Sequence, residues 1–523
     1  MKISNFKFTA GMPVAFASTE LPFAAALFIF VFLGSIFPIT DNDVWWHLAT
    51  GKYIFLNHLI PSTDIFSFTI KGKPWVTFEW LSQLVFYAVY SVSGLFGLTA
   101  FKALACVLIF YLMSKRFKTG ITLVSAAVFC LAFIAARDGL KERPQLFTYL
   151  FTALYMYLLE TKHERRMFII PIVQVLWANM HGASAFIGIG IFSIYTLFDD
   201  SVPAGKKAFF IFLVSACTLA NPHTYSVFTY LFVFFKEGFN TLIQEYQRTP
   251  VKLNYLPYFL LVFLGFVSFL ADDVPDIKSI LIFIIAVAAS LLAIRNIPLF
   301  VVIAAPVTAS QLSKMTASLT YGKVKHALLV NTLAAVCLFL GSWSFASMMD
   351  LTGSCAAGFG DKHRSRGAAA FIKSTGARGC LFNDYDLGGY LIWKLYPQCP
   401  VFVDGRLVEY GKDFVEKSFY YWKPEVWAGL DSRYNFTLAV IPNDIYYFAS
   451  NFDNLDNWVL VFWDKGALVY AKRVPENIEL IKKFGYRYLR PNSPDQSYLA
   501  KIPKEEIDRE IKRSLYYAPS LKD

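Results

Sequence analysis

Apolar runs of bilayer-spanning character, separated by short loops, constrain this chain more than anything else in it. A hydrocarbon core about 30 Å thick takes roughly 20 residues of α-helix, or somewhat fewer where polar ends snorkel. Runs of this kind lie at 21–39, 98–113, 121–136, 145–159, 167–179, 183–198, 207–220, 255–271, 277–293, 297–312 and 327–346. That makes about eleven spans by the ~20-residue criterion, several short enough to ask for local thinning of the bilayer. Soluble chains carry about 25% charged residues; this one carries 17%, with 56% hydrophobic residues. The reading is a multi-pass α-helical membrane protein. Its formal charge of +11 does not point to nucleic acid, because many of the basic residues cluster between apolar runs. No A-x-A site follows 21–39, so that run is expected to stay as a span.

Two further apolar helices, 79–94 and 224–236, are read as lying on the outer surface or dipping partway in. The reason is parity. Lys2 and Lys7 put the N-terminus inside. If neither helix crosses, the clusters Lys115/Arg116/Lys118, Lys162/Arg165/Arg166, Lys206/Lys207 and Lys314/Lys323/Lys325 all fall inside too. If only 79–94 crossed, all four would face outward. With neither crossing, the loops ITDNDVWWHL, ARDGLKERPQ, ANMHG, NPHTY and LAIRNIP share the outer face.

Residues 1–349 are read as the transmembrane part, with an outer loop at 40–97. Residues 350–523 change character and are read as an extracytoplasmic α/β domain with a partly parallel sheet. CLFND, PVFVD, TLAVIP, WVLVFWD and ALVYAKR are predicted strands. GAAAFIKSTG is a predicted helix ending at Gly376, and GYLIWKLY, 476–484 and the charged PKEEIDREIKRSLYY are helical. Of the seven cysteines, Cys106, Cys130, Cys217 and Cys337 lie in apolar runs. Cys380 and Cys399 suit a disulfide in an oxidising periplasm, with Cys355 left over.

The chemistry-bearing residues sit in the outer loops. Asp41 and Asp43 flank one residue beside Trp45, Trp46 and His47. A carboxylate there can take a proton from a hydroxyl or hold a divalent cation, and partial burial raises its pKa. Capping of a helix near Val44 is the competing role, and compatible with the first. Arg137, Asp138, Lys141, Glu142 and Arg143 crowd one loop, where arginine forks suit phosphate oxygens and mutual ion pairing is the alternative. Arg295 begins a Pro-containing span and either binds a lipid phosphate or snorkels. Glu79, His181 and His223 are further polar candidates, with helix-terminal charge or loop hydrogen bonding as their simpler roles. No Walker loop, G-x-G-x-x-G, H-E-x-x-H or G-x-S-x-G occurs.

The first span, its acidic outer loop and the segment WWHLATGKYIFLNHLIPSTDIFSFTIKGKPWVTFEWL together resemble the GT-C superfamily of integral-membrane glycosyltransferases. The likeness is nearest to bacterial dolichyl-phosphate-mannose-mannosyltransferase-like and RgtA/B/C/D-like proteins, and covers roughly residues 20–312. RNIPLFVVIAAP is similar to the family's later arginine-and-proline segment. DND meets the family's acidic motif loosely, and KPWVTFEWL stands where a Pro-Pro segment is usual. The resemblance implies a bacterial inner-membrane enzyme with a cytoplasmic N-terminus. Its donor is a sugar on a polyprenyl phosphate, and its acceptor a hydroxyl of a glycan, lipid or protein. Asp43, or Asp41, is the base. Arg295, with Arg137 or Arg143, holds the phosphate, and transfer inverts the anomeric centre. Asp138 or Glu142 matches a second acidic loop. The resemblance names no certain cofactor and leaves a divalent cation at the acidic pair open. Two other readings are a flippase for lipid-linked sugars, against which stand charges clustered at one face and no internal repeat, and a noncatalytic glycan-assembly scaffold. NDYDLGGYLIWKLYPQCPVFVDGR is similar to a recurrent partner of such membrane regions and carries no assigned chemistry.

Overall fold

The computed structural model describes residues 17–117, 120–161, 166–271, 275–320, 363–443, 446–491, 493 and 497–518. The predicted span 327–346, Cys337, Cys355 and the expected boundary near 350 lie outside the described residues. Each other predicted run is helical. The elements are α1 (Ala17–Gly34), α2 (Asp43–Asn57), α3 (Trp80–Ser114), α4 (Leu123–Ala136), α5 (Gln145–Glu160), α6 (Arg166–Met180), α7 (Phe186–Leu197), α8 (Ala204–Cys217), α9 (Ser226–Lys236), α10 (Leu256–Ser268), α11 (Ile277–Leu292) and α12 (Ile297–Thr320). Among the described residues, Trp80–Ser114 and Ile294–Thr316 are long and apolar enough to cross a bilayer, while six further apolar stretches, such as Ile277–Leu292, are shorter.

Local chemistry sets several of these boundaries. Thr122 and Ser125 form a reciprocal capping box at the start of α4. Within α3, Gly94 has φ +58 and ψ −146, a conformation that breaks the helix and that side chains with a Cβ avoid. The break separates the predicted surface helix 79–94 from the predicted span 98–113. Pro306 removes a donor from the middle of α12 and leaves the Val302 carbonyl, four residues earlier, without its helical partner. Arg116 fills the gap. Its Nη1 donates to Val302 O at 2.6 Å and its Nη2 to Ile303 O at 3.1 Å. Its other face holds Glu160, with Nε to Oε2 at 2.7 Å, and Tyr195 donates to Glu160 Oε1 at 2.9 Å. A basic residue predicted only as an inner-face marker thus repairs a broken helix.

The C-terminal sheet domain carries β1 (Leu381–Asn383), β2 (Leu438–Pro442), β3 (Trp458–Trp463) and β4 (Ala467–Lys472), in the order β1-β2-β4-β3. β1 pairs parallel with β2; the other pairings are antiparallel. The helix Arg366–Thr375 stops at Gly376, in the left-handed region at φ +68. PVFVD is not a strand of this sheet, contrary to the sequence reading. Its backbone is satisfied elsewhere. Val401 N donates to Phe66 O at 3.2 Å, Phe68 N to Val401 O at 3.1 Å, and Thr69 Oγ1 to Phe402 O at 2.7 Å. Asn383 completes the set, accepting from Phe402 N and donating to Val403 O, each at 2.8 Å. The segment is shared with the outer loop, which an apolar strand pattern cannot announce. Cys380 and Cys399 are free thiols, not the disulfide that the sequence suggested; the Cys399 thiol turns to the Gly379 carbonyl.

Replacing Arg116 with alanine strands the Val302 carbonyl and takes from the Glu160 carboxylate its cation. The expected loss is about 3 kcal/mol, the scale for breaking a buried pair from one side. A lowered thermal midpoint of the detergent-purified protein checks it, and Pro306→Ala should recover part of the loss.

Candidate active site

The first turn of α2 holds the acidic pair in place. Asp41 Oδ1 accepts the amide of Asp43, the first helical residue, at 3.0 Å. One turn on, Trp46 Nε1 donates to Asp43 Oδ1 at 3.1 Å. The helix therefore aims Asp43 by its own period, while Asp41 caps.

Arg143 binds both acids. Its Nη2 lies 2.7 Å from Asp43 Oδ2, and its Nη1 lies 3.2 Å from Asp41 Oδ2. The same Nη1 reaches Glu245 Oε2 at 3.1 Å. Lys141 Nζ stands 3.4 Å from Asp41 Oδ2. Arg295 Nη1 stands 3.5 Å from Glu245 Oε1, with its guanidinium 4.2 Å over the Tyr246 ring. Glu245 and Tyr246 were not singled out in the sequence. They lie between α9 and α10, in a stretch whose only signal was its polar composition.

Burial raises the Asp43 carboxyl to about 6; the Arg143 charge opposes this, and Asp41 adds to it. Glu245 goes the other way. Burial pulls it up, but Arg143, Arg295 and Lys141 outweigh that and hold it at about 2. One network thus keeps one acid permanently charged and another close to neutral pH.

A second cluster adjoins it. Glu79 Oε2 lies 3.5 Å from His47 Nδ1, and Glu79 Oε1 lies 3.5 Å from His181 Nε2. Burial raises Glu79 to about 8 and lowers His181 to about 3; His47 is also lowered, first by burial and then by Arg143. Near neutral pH these are contacts between neutral groups rather than ion pairs. Gln83 Nε2 stands 3.1 Å from His47 Nδ1, and Thr148 and Ser184 each hold His181 Nδ1 at 2.7 Å.

The remaining candidates divide. Asp138 borders the same cavity. Arg137 does not; it donates from Nε to Gly34 O at 3.1 Å and covers the Phe37 ring. Glu142 is turned into the helices and meets Lys102 Nζ at 2.8 Å, both side chains being buried. His223 lies 3.1 Å from the Thr77 amide nitrogen and 3.0 Å from its hydroxyl, pinning the outer loop. Four of the five loops line one cavity, and NPHTY joins them through the contact of His223 with Thr77.

The cavity has a volume of about 1400 Å³. Polar groups of α2 and the 137–144 loop form one side, and apolar residues such as Ile134, Phe186, Leu292 and Pro298 continue it between α4, α7, α11 and α12. The sheet domain supplies a further wall with Asp384, Tyr385, Gly405 and Glu409. Burial raises both Asp384 and Glu409 to about 7. Among the described residues no group of three or more His, Cys, Asp or Glu side chains is placed to hold a metal ion. The Arg143 guanidinium bridges Asp41 and Asp43.

No family model and no curated protein matches the sequence. Solved structures do match. The oligosaccharyltransferase AglB of Archaeoglobus fulgidus, solved with an inhibitory peptide and a dolichol-phosphate, aligns at TM-score 0.58 and 11% identity, over 87% of this chain and 75% of its own. The apo oligosaccharyltransferase of the same organism gives 0.58 and 12%, over 88% and 75%. ArnT of Cupriavidus metallidurans, bound to undecaprenyl phosphate, gives 0.46 and 13%, over 89% and 99%. By its helices and its C-terminal sheet domain, this chain has the fold of the GT-C superfamily of membrane glycosyltransferases.

Proposed function

We propose that the chain is a membrane glycosyltransferase that moves a sugar from a polyprenyl-phosphate donor to an acceptor hydroxyl. The observation that carries this reading is one cavity in which a carboxylate with raised pKa, Asp43, and two arginines, Arg143 and Arg295, share the lining with apolar residues of α4, α7, α11 and α12. The GT-C fold supports it, as does the dolichol-phosphate with which AglB was solved. On this reading the lipid tail runs along the apolar wall. The donor phosphate enters beside Arg295 and competes with Glu245 for it. Asp43 takes the proton of the acceptor hydroxyl, whose oxygen bonds to C1 as the C1–phosphate oxygen bond breaks. Attack from the face opposite the phosphate inverts the centre. The departing phosphate keeps the bond pair as an anion and is stabilised by the guanidinium groups. Asp41 caps the helix and shares Arg143. The site faces the outer side of a bacterial inner membrane, with the N-terminus inside.

The test is transfer by purified protein offered radiolabelled polyprenyl-phosphate sugars. Asp43→Asn should lose about 10²–10⁴-fold in rate, the usual weight of a general base, while remaining folded. Retained transfer in both Asp41→Asn and Asp43→Asn defeats the assignment. No turnover of any donor, with the lipid phosphate still bound, moves the reading to a flippase or scaffold.

The pH profile gives a second check. A base must be ionised, so activity should rise with pH through about 6. Arg143 lowers the Asp43 pKa, so Arg143→Gln should move this acid limb to higher pH as well as reduce the rate. Glu79 is neutral below about 8. Glu79→Gln should therefore keep activity at neutral pH to within about threefold, a loss of under about 1 kcal/mol; a larger loss would mean that the Glu79 proton moves.

A further inference from the structure

The first turn of α2 is cradled by the sheet domain. A Cβ on Gly405 would fall inside contact distance of Asp43 Oδ1 and 3.1 Å from Trp46 Nε1. Those are the two atoms of the hydrogen bond that aims the carboxylate. A Cβ on Gly389, in the helix Tyr385–Leu395, would stand 2.6 Å from the Asn42 carbonyl. Neither glycine has a positive φ, so close approach rather than backbone conformation calls for glycine here. Beside them, Tyr390 meets Trp45 edge-on at 4.8 Å, and His363 Nε2 lies 3.1 Å from Asn42 Oδ1.

The loop carrying Gly405 is tied on both sides. Arg406 clasps its own loop, with Nε to Asp404 Oδ1 at 2.7 Å and Nη2 to Asp404 Oδ2 at 2.6 Å. Its Nη1 pairs with Asp64 Oδ1 of the outer loop at 2.6 Å. Its guanidinium lies 4.5 Å over the Trp75 ring, and Tyr410 donates to Asp404 Oδ2 at 2.6 Å. Arg406, Asp404 and Asp64 are buried. A fork of this geometry fixes direction as well as charge.

We propose that Asp404, Gly405 and Arg406 form a positioning loop for Asp43: the Gly405 backbone backs the carboxylate against Trp46 Nε1 and Arg143, and Arg406 locks that backbone to the outer loop. The sheet domain is then part of the catalytic device rather than an appended module. Its catalytic consequence rests on Asp43 being the base; the positioning itself does not. The titratable groups around Asp43 are Asp41, Arg143, Glu245, Glu79 and Tyr385, and the loop brings Asp404 and Arg406, which pair with each other.

The test reads Asp43 through its neighbour. Full-length protein carrying 5-fluorotryptophan is followed by fluorine NMR through an acid titration, with the Trp46 signal assigned by Trp46→Phe. In the unmodified chain this signal follows Asp43 ionisation, and Asp43→Asn abolishes the response. Gly405→Ala should displace the Trp46 signal at neutral pH. It should also raise the titration midpoint, because the carboxylate is pushed from the two groups that favour its charge. The same variant should lower kcat by about tenfold or more with donor KM unchanged, as misplacement of a reacting group does. Gly429→Ala, whose Cβ meets nothing within 4 Å, should leave all three readings unchanged. If Gly405→Ala fails to fold, Asp64→Asn and Arg406→Lys loosen the loop away from Asp43 and should displace the signal too. An unmoved Trp46 signal and midpoint in the folded variants overturns the positioning role, whatever happens to turnover. Transfer surviving Asp43→Asn instead overturns the base assignment and leaves the positioning result standing.

Discussion

The guanidinium of Arg143 organises the end of the molecule that holds the cavity. A half-buried arginine does not shed its charge, so it must be met by counter-charge. Here its two Nη atoms are met by Asp41 and Asp43 at the start of α2 and by Glu245 from the segment between α9 and α10, while its Nε has no partner among the described residues. Segments about a hundred residues apart in sequence are held at one point by one cation. The sharing is unequal. Glu245 faces two further cations and stays charged, whereas Asp43 has mainly Arg143, against burial and a neighbouring carboxylate. Three acids around a shared guanidinium leave one of them basic near neutral pH, without an isolated buried charge.

The helices beneath obey the bilayer's rule that backbone polar groups be satisfied within the protein. Arg116 shows it where Pro306 opens α12; Lys102 and Glu142 apply the same economy to side-chain charge, as a buried pair between α3 and the 137–144 loop. Both are charges spent on the scaffold. The apolar core runs without a gap from these helices through Trp45 to Tyr390 and on to Val440 in the sheet. α2 is therefore packed from two sides, and its first turn has little freedom left.

Much of this was legible in the sequence because it rests on local rules. Apolar length located the helices, Gly376 ended one of them, and the loop DNDVWWH with Arg143 and Arg295 marked where polar groups meet. What escaped depends on long-range partners. Glu245 carries no motif. PVFVD has a strand's composition but bonds to 66–69 and Asn383. Arg137 and Glu142 look like Arg143 in sequence, yet one turn of a loop sends them to Gly34 and Lys102 instead. The glycines of LGGY and DGR carried no assigned role in the sequence, whereas Gly389 and Gly405 let backbone approach the start of α2, which is visible only with both segments in view.

The protonation pattern of the cavity then has a consequence for what can bind. Glu79, His47 and His181 are neutral near pH 7, and so contribute hydrogen-bonding polarity without field. The lasting charges are concentrated at Arg143, Arg295 and Glu245. Glu245 reaches Arg295 only at 3.5 Å, longer than a direct charge-assisted hydrogen bond of about 2.8 Å. A carboxylate so placed satisfies the arginine in the resting state without gripping it. An anion with tetrahedral oxygens can take a closer position there at the cost of a loose contact, while Glu245 keeps its 3.1 Å bond to Arg143. Charge near Arg143 then changes least where Asp43 must remain basic. On the proposed reading, the same arrangement leaves the place of the anion at Arg295 exchangeable and that of the Asp43 carboxylate fixed.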